Sequence, residues 1–165
     1  MAARSFPGAG ESAWGREASV VMMTDYGKPI IFKTPVSLLE LASREADHFK
    51  WLESERYGYD VGRIAQMEWS RRYWRIFCRY RRIEHLLGER RIREFDEASF
   101  GLLQDPELRR RPVVRFVIKQ FADEGWENLD FLLWAPHHGF ELHELHEALS
   151  LVDVNSARFD PPAWV

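Results

Sequence analysis

A mainly α-helical fold is predicted by three features of the sequence. Apolar residues recur every three or four positions over two long stretches, residues 34–57 and 60–87, which is the period of an amphipathic helix. Each stretch begins with a residue type that favours a helix N-terminus and ends at a glycine. Hydrophobic residues make up 45% of the chain and charged residues 30%, enough for a core inside a solvated exterior. We expect a helical hairpin with additional packed helices and a small β-hairpin.

Length and composition favour one domain. At 165 residues the chain has the size of one ordinary domain, with residues 1–19 as a loose N-terminal segment and residues 20–165 as a single α-rich domain. Cys78 is the only cysteine, which excludes an intrachain disulfide and suits a reducing compartment. No apolar run approaches the length that spans a membrane, and the N-terminus lacks the apolar core of a secretory signal. These features predict a cytoplasmic protein.

Turn and cap residues predict the first elements. Short apolar runs at 20–23 and 29–32 flank a polar stretch that contains glycine, as in a β-hairpin. Thr34 followed by Pro35 predicts the N-cap and first turn of a helix that stops at Gly58.

The longest predicted helix has Asp60 as its N-cap, runs to Leu87 and stops at Gly88. Spacing of 100° per residue places an apolar and aromatic stripe along one side of this helix, with arginines opposite it and on its flank. We expect the stripe to face the core; its residues are Ala65, Trp69, Tyr73, Ile76, Tyr80, Ile83 and Leu87.

The second half of the chain predicts shorter elements. Residues 90–103 are expected to form a turn or a short hairpin. A helix is predicted over 106–125, with a kink at Pro112 because proline lacks the backbone N–H of a helix interior. Residues 128–134 and 140–152 predict two further helices, followed by an extended tail.

Charge is segregated along the chain although the net charge is only −3. Residues 63–93 contain ten arginines against three glutamates, whereas residues 120–165 contain nine acidic residues against Arg158. Such asymmetry is typical of a polyanion-binding surface, but it equally lets two parts of one fold attract each other. The second interpretation is favoured here.

The arginine stripe of the long helix is the first candidate site. Guanidinium groups beside an exposed indole would contact a protein partner, or would hold phosphates and stack on nucleic-acid bases. The alternative is a solvated face whose arginines pair with nearby acids. The candidate residues for a protein or polyanion partner are Arg71, Arg72, Arg75, Arg79, Arg82 and Trp74.

Histidine and carboxylate residues form the second candidate, a metal site. Imidazole and carboxylate ligands bind zinc or iron, but the sequence contains no HExxH motif, and it contains only one Glu-x-x-His pair of the kind used by di-iron bundles. Ordinary solvated helix faces are favoured, so no metal or other cofactor is expected. The candidate ligands are His137, His138, His143, His146, Glu45 and His48.

Two carboxylates and one histidine fall on apolar sides of their predicted helices. A carboxylate buried there must be protonated or must form an ion pair, and Arg72 is an example of an arginine that could pair with Glu45 or Glu84. The histidine is His85, the neighbour of Glu84. A structural ion pair is favoured over the alternative, which is a general acid or base or a metal ligand with His48 or His85 as its neighbour. Cys78, on the arginine side, is expected to be an inert packed thiol.

A short motif resembles one found in uncharacterised bacterial proteins, including the tail of some lipopolysaccharide-kinase-like proteins. Those sequences usually place a histidine directly before a Lys-Trp pair, whereas here Phe49 stands there and His48 is displaced by one. The resemblance implies a bacterial origin and carries no catalytic role. Its residues are Lys50, Trp51, Leu52, Glu53, Ser54, Glu55, Arg56, Gly58, Asp60, Val61 and Gly62.

Three functions stay open on these observations. The first, which the sequence favours, is a non-enzymatic binding or assembly subunit that contacts a protein partner through an arginine and aromatic surface. The second is binding of nucleic acid or another polyanion through the arginine stripe. The third is a metal-dependent enzyme that uses the C-terminal histidines or the Glu45 and His48 pair.

Overall fold

The computed structural model describes residues 19–23 and 29–162, and the chain divides between Thr34 and Pro35 into two compact units. In the first unit, strands β1 (Ser19–Met23) and β2 (Pro29–Lys33) pair antiparallel, with Ser19 opposite Lys33. The predicted β-hairpin is therefore confirmed, while its turn lies outside the described residues. The loose segment and the single-domain assignment stay predictions.

The second unit is helical, which confirms the predicted fold class. It contains α1 and α2, followed by α3, α4, α5 and α6. Their bounds are Leu38–Tyr57 for α1, Arg63–Leu86 for α2, Pro106–Arg110 for α3, Pro112–Lys119 for α4, Asn128–Trp134 for α5 and Leu142–Val152 for α6. Helix α1 packs along α2, as predicted for the helical hairpin. No helix in the described part of the chain combines the length and apolar character needed to cross a bilayer.

Helix α1 begins later than predicted. Its N-cap is Ser37 instead of Thr34, because Val36 pairs with a distant segment in a parallel bridge to Ile92 that keeps this stretch extended. The carboxylate of Glu94 then accepts hydrogen bonds from Ser37 Oγ at 2.6 Å and from the Leu38 backbone N–H at 2.8 Å. This long-range cap satisfies helix donors that would otherwise lack partners.

The turn between α1 and α2 is fixed by local hydrogen bonds. Gly58 ends α1 in the left-handed conformation, as predicted, with φ of 75°. Asp60 is not the N-cap of α2: its Oδ1 accepts the Gly62 N–H at 2.9 Å, and α2 begins at Arg63 with Gly62 in the cap position. Residues 50–62, which carry the short motif, thus form the end of α1 and the following turn.

Helix α2 is buried on more than the predicted stripe. Ala65 and Trp69 are buried as expected, but Tyr80 is exposed. Phe77 and Leu86, outside the predicted stripe, are almost fully buried. The reason is a second layer: α2 also contacts residues 120–124 and the 3-10 turn at 154–157, so the core surrounds its C-terminal half.

The segment after α2 was predicted to form a turn or a short hairpin. It contains 3-10 turns at Glu97–Ser99 and Leu102–Gln104 and the bridge from Ile92 to Val36.

The helix predicted over 106–125 is divided into two helices. Arg111 has an extended backbone before Pro112, which separates α3 from α4. Helix α4 continues into a π-helical turn over Gln120–Glu124 that ends at Gly125.

Gly125 lies directly beside a buried arginine. It has φ of 75°, and a Cβ added to it would lie 2.3 Å from Arg79 Nη1. We expect Gly125→Ala to lower the free energy of unfolding by about 2–4 kcal/mol, because left-handed strain of about 1–2 kcal/mol adds to the displacement of Arg79. Chemical denaturation followed by tryptophan fluorescence measures it.

Gly58→Ala is the matched control for this prediction. Gly58 has the same φ of 75°, but a Cβ there meets no atom within 4 Å, so only the strain of about 1–2 kcal/mol is expected. Equal losses in the two variants would show that the contact with Arg79 contributes nothing.

Candidate binding groove

The predicted arginine surface does not exist as a continuous face. Arg71 and Arg72 are exposed, but both bind Glu68, with Arg71 Nη2 at 2.9 Å from Glu68 Oε1. These contacts lower the pKa of Glu68, mainly through the hydrogen bond from Arg71. Arg75 is exposed and has no ion-pair partner among the described residues. Arg71, Arg72 and Arg75 are thus the part of the stripe that faces outward.

Arg79 and Trp74 are buried, contrary to the prediction that they form an external surface. Arg79 Nη2 donates to Glu127 Oε1 at 2.8 Å, and its guanidinium lies 5.4 Å from the centre of the Phe121 ring. Trp74 Nε1 donates to the Phe159 carbonyl oxygen at 2.7 Å. Both side chains therefore connect α2 to the C-terminal part of the fold, where a partner has no access to them.

Arg82 is also buried, with only 2% of its surface exposed, so it does not lie on the external surface that was predicted for it. Its Nε donates to the Val152 carbonyl oxygen at 3.0 Å and its Nη1 donates to Ser99 Oγ at 2.7 Å. Burial lowers the pKa of Arg82, and the nearby charges of Asp153 and Asp96 oppose that shift. Arg82 is a structural link between three segments.

His85, one turn further along α2, is fully buried. It was predicted to be a buried ionisable group. Its Nδ1 accepts the backbone N–H of Ile92 at 3.0 Å, so the proton lies on Nε2, which is 3.2 Å from the Asp96 carbonyl oxygen. Phe95 and Phe100 contact the imidazole ring edge to face. Burial is the main cause that lowers the pKa of His85, which favours the neutral ring.

Glu45 and Glu84 were predicted to be buried, but 41% and 27% of their side-chain surfaces are exposed. Both pair with Arg81, whose Nη1 donates to Glu84 at 2.6 Å and whose Nη2 is 3.8 Å from Glu45. Arg72, the predicted partner, binds Glu68 instead. These carboxylates form the structural ion pairs that the sequence favours over acid–base chemistry.

The predicted metal ligands do not assemble into a centre. Within the described ranges, no group of three or more histidine, cysteine, aspartate or glutamate side chains is placed to hold a metal ion. His138 stacks on Trp134 with ring centres 3.6 Å apart, and His48 stacks on Trp51. His137, His143 and His146 are exposed.

Cys78 is fully buried, as expected of a packed thiol. Burial raises its pKa to about 12. The thiolate, which is the nucleophilic form, is therefore scarce at neutral pH.

A cleft at the α1–α2 turn occupies about 680 Å³ and carries mixed charge. Its single cation, Lys50, lies 3.2 Å from Asp60 and is thereby paired. Asp47 accepts a hydrogen bond from Gln66 at 2.6 Å. Trp51 is 57% exposed at this cleft. The only cation that lines this cleft is thus neutralised by Asp60, and its other charged residues, Asp47 and Glu55, are acidic.

A second groove, between α2 and α3–α4, has unpaired charge of one sign. It occupies about 550 Å³, and none of its lining residues is acidic. Arg109, Arg115 and Lys119 are exposed on its rim, and no described carboxylate lies within ion-pair distance of them. The partly buried floor is apolar. We call this the basic groove; it is lined by Ile83, Leu87, Arg109, Pro112, Arg115, Phe116, Ile118 and Lys119.

An aromatic cluster supports the floor of the basic groove from inside. Phe116 stacks on Trp134 and Phe140, with ring centres 4.5 Å and 5.2 Å apart, and packs edge to face against Trp126 and Phe131. Aromatic pairs of this geometry add stabilisation beyond the burial of their surface. The floor is therefore held in place by packing inside the fold.

The cations of the basic groove were not among the predicted site residues. A signal for them exists: residues 108–119 contain Arg109, Arg110, Arg111, Arg115 and Lys119 without one acidic residue. Local clusters of this kind predict an anion-binding surface. Only Arg111 has an ion-pair partner among the described residues, Glu147 at 2.9 Å.

No protein-family model, no curated protein and no solved structure matches this chain. The chemistry of the basic groove is therefore inferred from its own residues.

Proposed function

We propose that this protein is a non-enzymatic binding or assembly subunit whose basic groove holds an acidic, apolar segment of a protein partner. The observation that carries the proposal is a partly buried apolar floor flanked by three cations, Arg109, Arg115 and Lys119, that have no ion-pair partner among the described residues. A partner carboxylate that meets Arg109 or Arg115 does not have to displace an internal carboxylate. An apolar side chain seated on the floor gains the free energy of removing that surface from water.

A protein segment suits this groove better than a nucleic acid does. Nucleic-acid surfaces combine cations along a backbone path with aromatic faces on which bases stack. Here Phe116 is partly buried and already stacked on Trp134 and Phe140, so its faces are occupied. Two arginines of the predicted polyanion stripe, Arg79 and Arg82, are buried. A leucine-bearing acidic helix uses both the floor and the rim.

Fluorescence anisotropy with a synthetic probe tests the proposal. The probe is a labelled helical peptide with leucines at positions i, i+3, i+4 and i+7 and glutamates elsewhere; a peptide of the same composition in scrambled order is its control. We expect binding of the ordered peptide that weakens with salt. The triple variant Arg109→Glu, Arg115→Glu, Lys119→Glu should weaken it at least about tenfold, which is about 1.4 kcal/mol.

A matched variant separates the groove from net charge. Arg44→Glu, Arg75→Glu and Arg93→Glu change the charge equally at exposed arginines that lie outside the groove and have no described ion-pair partner. This variant should bind the ordered peptide like the unmodified protein. Equal losses in the two triple variants, or tighter binding of a single-stranded oligonucleotide than of the peptide, would refute a protein-binding groove.

A further inference from the structure

The outer side of α5 is an exposed leucine face. Leu129, Leu132 and Leu133 occupy positions i, i+3 and i+4, which lie side by side on a helix. Their exposed fractions are 65%, 45% and 65%. On the opposite side of the same helix, Phe131 is completely buried. A helix that is apolar on both sides is normally covered on both sides, and no described residue covers this face.

The charge around the leucine face is negative. Glu124 and Asp130 are exposed, and neither forms an ion pair with a described residue. Glu127, which lies between them in the sequence, is already bound by Arg79 and Arg158. The segment therefore presents leucines beside carboxylates, which is the chemistry that the basic groove complements.

Helix α5 cannot reach the basic groove of its own molecule. Phe131 and Trp134 anchor it against Phe116, a residue that also lines the groove. Phe131 faces the packed aromatic cluster, whereas the three leucines are exposed on the other side of α5 and point away from that cluster. Contact between the two surfaces therefore requires two molecules.

We propose that the partner in the basic groove is a second copy of this chain, which inserts the leucine face of its α5. The inference rests on the proposed function of the groove and names its occupant. Leu129, Leu132 and Leu133 of one copy would cover the apolar floor of the other, while Glu124 and Asp130 would meet the rim cations. Charge complementarity and the exposed apolar area on both surfaces support it.

Analytical ultracentrifugation of the full chain tests this self-association. The unmodified protein should sediment as a dimer or larger species at concentrations where two variants are monomers. One variant carries Arg109→Glu, Arg115→Glu and Lys119→Glu in the groove; the other carries Leu129→Glu and Leu133→Glu on the leucine face. The variant with Arg44→Glu, Arg75→Glu and Arg93→Glu should associate like the unmodified protein.

Mixing the two monomeric variants is the decisive step. Each retains one intact surface, so the mixture should regain a species of about twice the protomer mass that neither variant forms alone. All changes are at exposed positions, and unchanged circular dichroism and thermal midpoints would show that the variants fold.

The outcomes separate the two proposals. A monomeric unmodified protein that still binds the acidic leucine peptide would overturn self-association and leave the proposed function standing. Failure to bind that peptide as well would overturn both. Persistent association of the leucine-face variant, or a mixture that stays monomeric, would overturn the inferred contact.

Discussion

Arg82→Ala is expected to lower the free energy of unfolding by about 3–5 kcal/mol, because Arg82 is among the largest fully buried side chains. Its removal leaves a cavity against Phe95 and removes hydrogen bonds to the Val152 carbonyl oxygen and Ser99 Oγ. Each buried polar group left without a partner costs about 1–3 kcal/mol. Relief from burying a charge offsets part of this loss.

Chemical denaturation followed by tryptophan fluorescence and circular dichroism measures the effect. Arg75→Ala, two turns earlier on the same helix, is the control because Arg75 is exposed and has no ion-pair partner among the described residues. It should leave the denaturation midpoint unchanged. A midpoint for Arg82→Ala equal to that of Arg75→Ala would contradict the assignment of Arg82 as a structural link.

The helix ends show what local sequence determines in this chain. Gly58 was predictable as the end of α1 because the left-handed conformation there depends on one residue type. The beginning of α1 was not predictable, because the extended bridge of Val36 to Ile92 and the cap from Glu94 come from residues more than fifty positions away. Thr34 and Pro35 satisfy the local rule, but long-range pairing determines where the helix begins.

The arginines of α2 show a second limit. A helical wheel assigns sides by residue type, so it places arginines toward water. In the fold, Val152, Phe159 and Glu127 pack on the predicted arginine side and supply acceptors for Arg82, Trp74 and Arg79 in turn. The sequence favours pairing between the basic helix and the acidic C-terminal segment, and Arg79 with Glu127 is one such pair. Which arginines turn inward depends on a layer that the wheel does not contain.

The basic groove combines a predictable part with an unpredictable part. The run of cations at residues 109–119 is visible in the sequence, and so is the apolar character of α4. The floor, however, needs Ile83 of α2 and Leu87, the C-cap of that helix, which were predicted to lie in the core and are only partly buried. The concave surface lies between the end of α2 and α3–α4, which only the tertiary fold brings together, so no local pattern predicts it.

The stability of the protein is expected to depend on pH through His85. Burial lowers its pKa from the ordinary value of 6.5, so the unfolded chain binds a proton more readily than the folded chain does. The contribution of the neutral ring is fully present above about pH 7. It is lost as the pH falls below 6.5 toward the lowered pKa, with a slope of at most about 1.4 kcal/mol per pH unit for this group.

His85→Leu should remove this dependence and also lower stability at pH 8. The variant leaves the Ile92 N–H without its acceptor and the Asp96 carbonyl oxygen without the ring N–H, a loss of about 2–4 kcal/mol. Denaturation curves between pH 8 and pH 5, above the ordinary pKa values of carboxylates, measure both effects.

His146→Leu is the control, since His146 is exposed. It should retain the pH dependence of the unmodified protein. Protonation of the His85 ring would place a proton on Nδ1, the atom that accepts the Ile92 N–H. That hydrogen bond would be lost, and Ile92 is the residue that forms the bridge to Val36. If His85→Leu and the unmodified protein lose stability in parallel below pH 6.5, another group causes the dependence.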